Sequence, residues 1–223
     1  MRDSHSSELI PPVINYRVDG RRNGKAKIND KEAECIVSLM LACWEQTEYA
    51  DKTFGIISLL GDEQAVYIMN FAYNHDINMQ EWNQRQVVVG NAASFQGDER
   101  DVIFLSMVDD DESANRSRTQ LDWRRRYNVA ASRAKDQLWV VNSLDYTKLK
   151  HGENLEDEDV RFGLLEYAVN YREHRACFLE AEVKAESPFE AEVAKYLLAK
   201  GYHIQQQYEA GPYRIDIVVS YEN

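Results

Sequence analysis

Three short runs of apolar residues in the first two thirds of the chain limit the folds that this sequence can adopt. They cover residues 54–60, 102–108 and 137–142, and polar side chains are few within them. A strand buried on both faces of a parallel sheet reads as a nearly continuous apolar run, whereas a half-exposed strand alternates. Segments of helical periodicity lie between most of the runs. The pattern therefore predicts an α/β fold in which helices cover both faces of a parallel sheet.

The same periodicities predict the remaining elements of the chain. The predicted strands are 13–18, 54–60, 86–92, 101–108 and 137–143, and the predicted helices are 29–46, 62–76, 121–135 and 161–175. Asn29 or Asp30 can cap the first helix, and Glu32 completes a box-like pattern with Asn29. Cys35 and Cys43 are expected to be ordinary core or near-core thiols, because that helix has an apolar face beside them.

Length and composition bound the class of protein. The 223 residues suit one large domain or a medium domain with a smaller piece, and a hydrophobic fraction of 44% is enough for a packed core. No apolar stretch is long enough to span a membrane, and the start lacks a signal-peptide core. Three cysteines without a Cys-x-x-Cys pattern favour a reducing, cytoplasmic setting.

The charge of the chain is unevenly distributed. The net charge is −12, which opposes nucleic-acid binding through a broad basic face. Residues 116–126 are the exception, because they hold five arginines and one acid. This segment is either a solvated helix face that balances the acidic residues 109–112 or a site for an anionic ligand.

The loop after the strand at 86–92 is expected at the edge where parallel sheets bind ligands. Within this loop Gly97 allows a tight turn and a close approach of the backbone to a phosphate. Gln96 offers both a donor and an acceptor, and Glu99 can accept a hydrogen bond from a ribose hydroxyl.

Two charged residues end the same loop. Arg100 and Asp101 are expected to form an ion pair that locks it in place. The alternative for the whole loop is a solvated entry to the next strand, with charges that bind nothing specific.

Two arginines in the helix predicted at 121–135 suit phosphate binding. Arg126 and Arg133 are seven residues apart and would share one helical face. The guanidinium is permanently charged and its fork fits phosphate oxygens, so the pair forms a plausible phosphate clamp. In the alternative, both are surface arginines neutralised by Asp122 and Asp136.

Three segments together resemble the second RecA-like lobe of superfamily 1 helicases of the nonsense-decay and Senataxin type. Residues 94–106, Ser-Phe-Gln-Gly-Asp-Glu-Arg-Asp followed by an apolar strand, are similar to motif V of that family. Residues 124–135, which include Asn-Val-Ala-Ala-Ser-Arg-Ala, are similar to motif VI. Residues 54–64 resemble motif IV, a strand followed by a helix that carries Gln64. The resemblance covers about residues 12–150 and implies a sheet of the P-loop NTPase type.

The resemblance implies roles for individual residues. Arg133 would be the arginine finger that touches the γ-phosphate across a cleft between two lobes, a contact worth about 10³–10⁵ in rate. Gln96 would act with Arg133 and couple the nucleotide bound to the protein to the affinity of the protein for nucleic acid. The other nucleotide contacts implied are Gln64, Gly97, Glu99, Arg126 and Asn128, and the nucleic-acid contacts are Ser94 and Arg100. The strand would be single-stranded DNA or RNA, held mainly by backbone contacts and by some stacking of its bases.

The cofactors implied are ATP and Mg²⁺, bound mainly by a first RecA-like lobe. The glycines of residues 20–25 do not form a phosphate loop, because the spacing and the Lys-Ser/Thr ending are not met. The first lobe is therefore an expected partner, encoded upstream of Met1. This chain alone is expected neither to hydrolyse ATP at a useful rate nor to unwind nucleic acid.

The composition changes after Ser143, and residues 187–223 resemble the start of a PD-(D/E)XK, restriction-endonuclease-like domain. Glu190 and Asp216 match the first two acids of that family and would hold Mg²⁺. The alternative for Glu190 is a capping box that begins at Ser187. Asp216 lies in an apolar strand, where an unpaired carboxylate is costly. The segment would be an incomplete α+β piece, with the helicase lobe at 1–178 and a linker at 179–186.

Three functions remain open from the sequence. The first is the second motor lobe of an ATP-dependent helicase or translocase. The second is a nucleic-acid-binding adaptor that works without nucleotide, and the third is a positioning module for a nuclease.

Overall fold

The computed structural model of the protein describes residues 9–75, 77–152, 157–171, 188–199, 202–210 and 213–220. The chain divides into two compact units, Met1–Val169 and Asn170–Asn223. The predicted linker at 179–186 lies outside the described residues. The predicted domain limits, 1–178 and 187–223, therefore stay predictions.

The described elements follow one another in an alternating order. The strands are β1 (Val13–Arg17), β2 (Arg22–Asn23), β3 (Ile28–Asn29), β4 (Phe54–Ser58), β5 (Val88–Asn91), β6 (Arg100–Asp110), β7 (Ala134–Ser143), β8 (His203–Ala210) and β9 (Tyr213–Ser220). The α-helices are α1 (Asp30–Trp44), α2 (Asp62–Asn74), α3 (Met79–Gln84), α4 (Leu121–Ala131), α5 (Val160–Val169) and α6 (Pro188–Ala199). Short 3₁₀ helices cover Gly24–Ala26, Thr47–Tyr49 and Tyr146–Lys148.

The first unit is built on a five-stranded parallel sheet with the order β1-β7-β6-β4-β5. Ile56 of β4 lies between Val89 of β5 and Phe104 of β6, and Phe104 pairs in turn with Trp139 of β7. All five residues of β4 are buried, as expected for a strand covered on both sides. The predicted α/β fold with a RecA-like parallel sheet is confirmed.

One face of the sheet, called here the first face, is covered by α1 and α2. Ile36 and Met40 of α1 and Ile68 of α2 join a core cluster with Phe54 and Phe104 of the sheet. Because successive side chains of a strand alternate between the faces, Ile57, Ile103 and Leu105 belong to the other cluster. The side chains of each apolar run therefore point alternately into two separate cores, one on each face of the sheet.

The opposite face, called here the second face, is covered by α4, α5 and the turns after β5. Phe95 from these turns, Tyr127 and Ala130 of α4, and Leu165 of α5 are buried in its core cluster. Ala130 has no exposed surface, so α4 packs tightly against the sheet at this residue.

The start of α1 matches the predicted cap. Oδ1 of Asn29 accepts a hydrogen bond from the N–H of Glu32, and Nδ2 of Asn29 donates to Oε1 of Glu32. Cys43 is buried and Cys35 is half-buried, and both are free thiols. Burial raises the pKa of each thiol to about 11, so both are ordinary core or near-core cysteines, as predicted.

Several predicted limits differ from the structure. The helix predicted at 121–135 ends at Ala131, because β7 already begins at Ala134. The helix α3 and the small antiparallel pair β2–β3 have no counterpart in the prediction. Both are too short for a periodic pattern to develop.

The second unit contains α6 and an antiparallel hairpin of β8 and β9, in which Ile204 pairs with Val219. These elements fit the incomplete α+β piece expected at residues 187–223. None of the described helices combines the length and the hydrophobicity that a transmembrane span requires.

Candidate functional site

The carboxyl ends of β4 and β5 form a crevice, because the chain leaves these neighbouring strands toward opposite faces of the sheet. After β4 it enters α2 on the first face, and after β5 it enters turns that pack on the second face. Open α/β sheets bind ligands at such a reversal. A cavity of about 960 Å³ lies there, and its lining includes Gly61, Asp62, Asn91, Gln96, Trp123 and Arg126. We call it the carboxyl-edge cavity.

The turns after β5 bring Gln96 and Gly97 to the surface. Phe95 is fully buried and fixes this segment from the inside, while Gln96 and Gly97 are exposed. The φ angle of Gly97 is 83°, a left-handed value that favours glycine. Gln96 lines the carboxyl-edge cavity. Both residues are therefore accessible to a ligand, and their binding roles stay predictions.

Asn91 organises the first of these turns. Its Oδ1 accepts hydrogen bonds from the N–H groups of Ala93, at 2.7 Å, and of Ser94, at 3.0 Å. Its Nδ2 donates to the carboxylate of Asp62 at the start of α2. Ser94 is exposed next to the cavity, and its predicted contact with nucleic acid is untested. Asn91 thus joins the two sides of the crevice.

Arg100 is bonded within the protein rather than presented to a ligand. Its Nε donates to the carbonyl of Gln86 at 2.9 Å, and its Nη1 donates to the carbonyl of Glu99 at 2.7 Å and to the carboxylate of Asp98. Only 12% of the side chain is exposed. The guanidinium fixes the loop, so the structure gives no support to the predicted nucleic-acid contact of Arg100. The side chain of Glu99 is exposed, as a nucleotide contact would require.

The predicted ion pair between Arg100 and Asp101 is wrong. Oδ2 of Asp101 accepts hydrogen bonds from the N–H and the Oγ1 of Thr53, at 2.8 and 2.6 Å. Arg100 pairs with Asp98 instead. Both residues are already in β6, where successive side chains leave opposite faces of the strand.

Gln64 is buried, which argues against the predicted nucleotide contact. Its side chain has no exposed surface. Its Oε1 accepts from the N–H of Asn29 at 2.9 Å, and its Nε2 donates to the carbonyl of Asn29 at 2.9 Å and to Oγ of Ser106 at 3.0 Å. This amide therefore joins α2 to β3 and β6, and it has no face open to a ligand.

Arg126 and Asn128 of α4 are exposed. Nη1 of Arg126 donates to the carbonyl of Leu59, just beyond β4, at 3.3 Å. Its guanidinium carbon also lies 4.6 Å from the ring centroid of Trp123. These contacts place Arg126 at the carboxyl edge of the sheet, on the wall of the cavity.

Arg133 lies at the other end of α4. The prediction that Arg126 and Arg133 share one helical face is wrong, because the helix ends at Ala131 and Arg133 is in the turn before β7. Its N–H donates to the carbonyl of Ala130 at 3.3 Å. Its carbonyl accepts from the N–H of Arg100, the first residue of β6, at 3.0 Å. Both ends of the Arg133 backbone are therefore anchored.

The guanidinium of Arg133 is bonded to neutral groups. Nε donates to the carbonyl of Val129 at 3.0 Å, and Nη2 donates to Oγ of Ser132 at 2.8 Å. Val129 also lines the carboxyl-edge cavity together with Gln96. Gln96 and Arg133 thus flank the same helix on the second face, although Arg133 lies toward the amino ends of the strands.

Asp122 and Asp136 do not neutralise these two arginines. Asp122 is 3.8 Å from Arg125, and Asp136 is 2.6 Å from Lys52. Among the described residues, no carboxylate forms an ion pair with Arg126 or Arg133. The alternative in which both are saturated surface arginines is therefore wrong.

A buried ionic cluster at the end of β6 was not predicted from the sequence. Asp109 has no exposed surface and contacts Arg22 at 3.0 Å, Arg161 at 2.8 Å, and Arg118. Arg161 also binds Asp159 at 2.6 Å. Burial opposes the ionisation of Asp159, but the hydrogen bond and charge of Arg161 outweigh it and hold the pKa of Asp159 below its usual value. The basic segment 116–126 thus balances the acidic residues in part, through Arg118, while Arg125 and Arg126 line the cavity.

In the second unit, the two predicted metal ligands have different environments. Glu190 is half-buried on α6 and has partners within the protein. Asp216 of β9 is exposed, so the argument from the cost of burying it is wrong. Among the described residues, no group of three or more His, Cys, Asp or Glu side chains is arranged to hold a metal ion. The nuclease-like resemblance stays a prediction.

The first unit matches a known protein family. A family model described as an AAA domain matches residues 4–145. No curated protein matches the sequence. The matched segment contains the whole five-stranded sheet, the carboxyl-edge cavity and Arg133.

Proposed function

Because the chain belongs to the AAA domain family, with a match typical of the second lobe of superfamily 1 helicases of the nonsense-decay and Senataxin type, we propose that it is the second motor lobe of an ATP-dependent helicase or translocase. In this proposal Arg133 is the arginine finger, and the carboxyl-edge cavity is part of the surface for single-stranded nucleic acid. The two sites lie at opposite ends of α4.

The environment of Arg133 is the main support for this proposal. An arginine finger needs a fixed backbone and a charge that no internal carboxylate has neutralised. The backbone of Arg133 is bonded to Ala130 and to Arg100, and its guanidinium contacts only a carbonyl and a hydroxyl among the described residues. These neutral partners can be exchanged for phosphate oxygens without breaking an ion pair.

ATP and Mg²⁺ belong to this proposal as ligands shared with a first RecA-like lobe. When bound, ATP supplies the phosphoanhydride bond that is hydrolysed, and the metal neutralises phosphate charge. This chain can contribute to the neutralisation of phosphate charge, because the planar guanidinium of Arg133 can donate hydrogen bonds to anionic oxygen. Gln96, Gly97, Glu99 and Asn128 are exposed on the same lobe and remain candidates for contacts that respond to nucleotide.

The test is ATP hydrolysis, stimulated by single-stranded nucleic acid, in a protein that joins this lobe to its first lobe. Arg133→Ala is expected to lower kcat by about 10³–10⁵, with a small effect on the affinity for the strand. Arg133→Lys keeps the charge but loses the fork and recovers little of the rate. The 223-residue chain by itself is expected to show negligible hydrolysis.

Lys135→Ala is the matched control, because Lys135 is an exposed cation two residues away. It is expected to leave the rate unchanged. If Arg133→Ala hydrolyses ATP at the wild-type rate, the motor proposal is wrong. Strand binding that persisted in that case, without any effect of ATP, would support the adaptor function instead.

A further inference from the structure

The carboxyl-edge cavity combines features that suit one nucleotide unit of a strand. Its volume of about 960 Å³ is at the upper end of the range for small-ligand pockets, about 300–1,000 Å³. The indole of Trp123 lines the cavity, and so do the side-chain amide of Gln96 and that of Asn91, which is already bonded to Asp62. An aromatic platform beside amides and cations is the arrangement by which proteins bind unpaired bases.

Trp123 is held rigidly by an arginine that is anchored in the core. The guanidinium carbon of Arg118 lies 4.0 Å from the ring centroid of Trp123. Arg118 is itself buried and paired with Asp109, which has no exposed surface. The ion pair therefore fixes the cation that supports the indole of Trp123. A stacking residue that is already ordered loses little entropy on binding.

Arg126 is bound to the indole much less firmly. It is exposed, its hydrogen bond to Leu59 is 3.3 Å long, and no described carboxylate pairs with it. A base that stacks on Trp123 can take the place of this guanidinium. The released guanidinium is then available to the phosphate that enters with the base, so the exchange retains a cationic contact.

The charges around the cavity favour an anionic ligand. Arg125 makes only an exposed contact of 3.8 Å with Asp122, which is worth little in water. Lys27 shares its charge with Glu63 at 3.7 Å. Asp62 also lines the cavity, where it is bonded to the amide of Asn91. Three cations thus face two carboxylates, and the two arginines give the lining a small excess of positive charge.

A second cavity in the same unit has the opposite character. It measures about 530 Å³ at the ends of β1 and β6, and Asp19, Asp110, Asp111 and Glu112 line it together with Arg17 and Arg21. Its carboxylates outnumber its cations and would repel phosphate. The contrast makes the carboxyl-edge cavity the better site for a strand.

We infer that Trp123 is a base-stacking residue and that the carboxyl-edge cavity takes one nucleotide of a single strand, with its base on the indole and its phosphate on Arg125 and Arg126. This inference rests on the proposed function, and it adds which residue stacks on a base and which cavity holds that nucleotide.

The test compares a single-stranded oligonucleotide with one of the same length that has abasic sites throughout. Fluorescence anisotropy with the 223-residue chain measures the affinity for each. Trp123→Leu keeps an apolar side chain but cannot stack, and it is expected to weaken binding to the normal strand about tenfold while leaving binding to the abasic strand unchanged. Trp123→Phe is expected to retain most of the affinity. Tyr73→Leu is the control, since Tyr73 is an exposed aromatic residue on α2 that does not line the cavity.

The outcomes separate this inference from the proposed function. Equal losses on both strands with Trp123→Leu, or no loss on either, would overturn base stacking while leaving the motor role of Arg133 intact. A mononucleotide that displaced the strand at equimolar concentration would overturn the assignment to a strand. The midpoint of thermal unfolding is the control for folding. An unchanged midpoint for Trp123→Leu shows that the variant is folded and that any loss of affinity comes from the binding site.

Discussion

The main-chain N–H of Arg100 donates a 3.0 Å hydrogen bond to the carbonyl oxygen of Arg133. This bond joins the loop after β5 to the turn after α4, two segments that are more than thirty residues apart in sequence. A shift of the loop is therefore transmitted directly to the backbone of Arg133. The two segments that resemble helicase motifs V and VI form one connected structure.

We expect Arg100→Ala to destabilise the first unit by about 0.5–1.5 kcal/mol, because it removes the donor of the hydrogen bonds to the exposed carbonyls of Gln86 and Glu99, which water can then solvate. Urea unfolding followed by circular dichroism measures the change. Arg100→Lys is expected to recover part of the loss, since a lysine can replace one donor but not the fork. An unchanged unfolding midpoint for Arg100→Ala would contradict the role of Arg100 in fixing the loop.

Gly97→Ala is expected to cost about 1–2 kcal/mol through backbone strain alone. The φ angle of Gly97 is 83°, and an added Cβ would meet no atom within 4 Å. The cost therefore comes from the left-handed conformation and not from a clash. Gly97→Asn is expected to cost less, because asparagine tolerates this conformation better. Equal unfolding midpoints for Gly97→Ala and the wild type would show that the turn relaxes to another conformation.

Asp109→Asn is expected to destabilise the protein by about 3–5 kcal/mol, because it leaves buried arginines, above all Arg161, without their shared counter-charge. The comparison is Asp122→Asn, whose side chain is 93% exposed and whose loss should change little. Chemical unfolding of both variants measures the difference. A similar small effect at the two positions would mean that Asp109 is not essential to the cluster.

Glu32 is expected to make stability fall as the pH rises. Burial raises its pKa from 4.5 to about 8, although the hydrogen bonds from Val108 and Ser106 act to lower it. Between these two values the folded chain keeps a proton that the unfolded chain has released, so stability decreases by at most about 1.4 kcal/mol per pH unit. Below pH 4.5, the pKa in the unfolded chain, the stabilising contribution of protonated Glu32 is fully present.

The variant that isolates this effect is Glu32→Gln, which keeps the shape of the neutral acid but cannot titrate. Its free energy of unfolding relative to the wild type should rise from about pH 5 to about pH 8, measured by urea unfolding at several pH values. A constant difference across that range would show that Glu32 is ionised in the folded protein.

The fold was predictable because its strands are buried on both faces. The apolar run at 54–60 contains β4 and the run at 102–108 lies within β6, since burying a polar residue there is costly unless it is hydrogen-bonded. The end of α4 was not predictable from periodicity. Arg133 continues the helical pattern in sequence, but the pairing of β7 with β6 begins at Ala134 and ends the helix earlier.

The sequence indicated part of the candidate site, since Gln96 and Arg126, both expected to contact ligand, line the cavity. Gln96 and Gly97 follow a strand, and a glycine in that place is a local signal. The roles of Gln64 and Arg100 depend on partners distant in sequence, Asn29 and Gln86 among them. Trp123 was missed for the same reason. A tryptophan between charged residues can be identified as a ligand contact only when the cavity beside it is known.

The resting state of Arg133 has a consequence for how the lobe responds to its surroundings. Its two side-chain partners, the carbonyl of Val129 and the hydroxyl of Ser132, carry no formal charge. No bonded carboxylate therefore cancels the positive field of the guanidinium, which water and mobile salt weaken. An approaching polyanion would sense this residue before any contact forms, and raising the ionic strength would shorten the distance over which it is sensed.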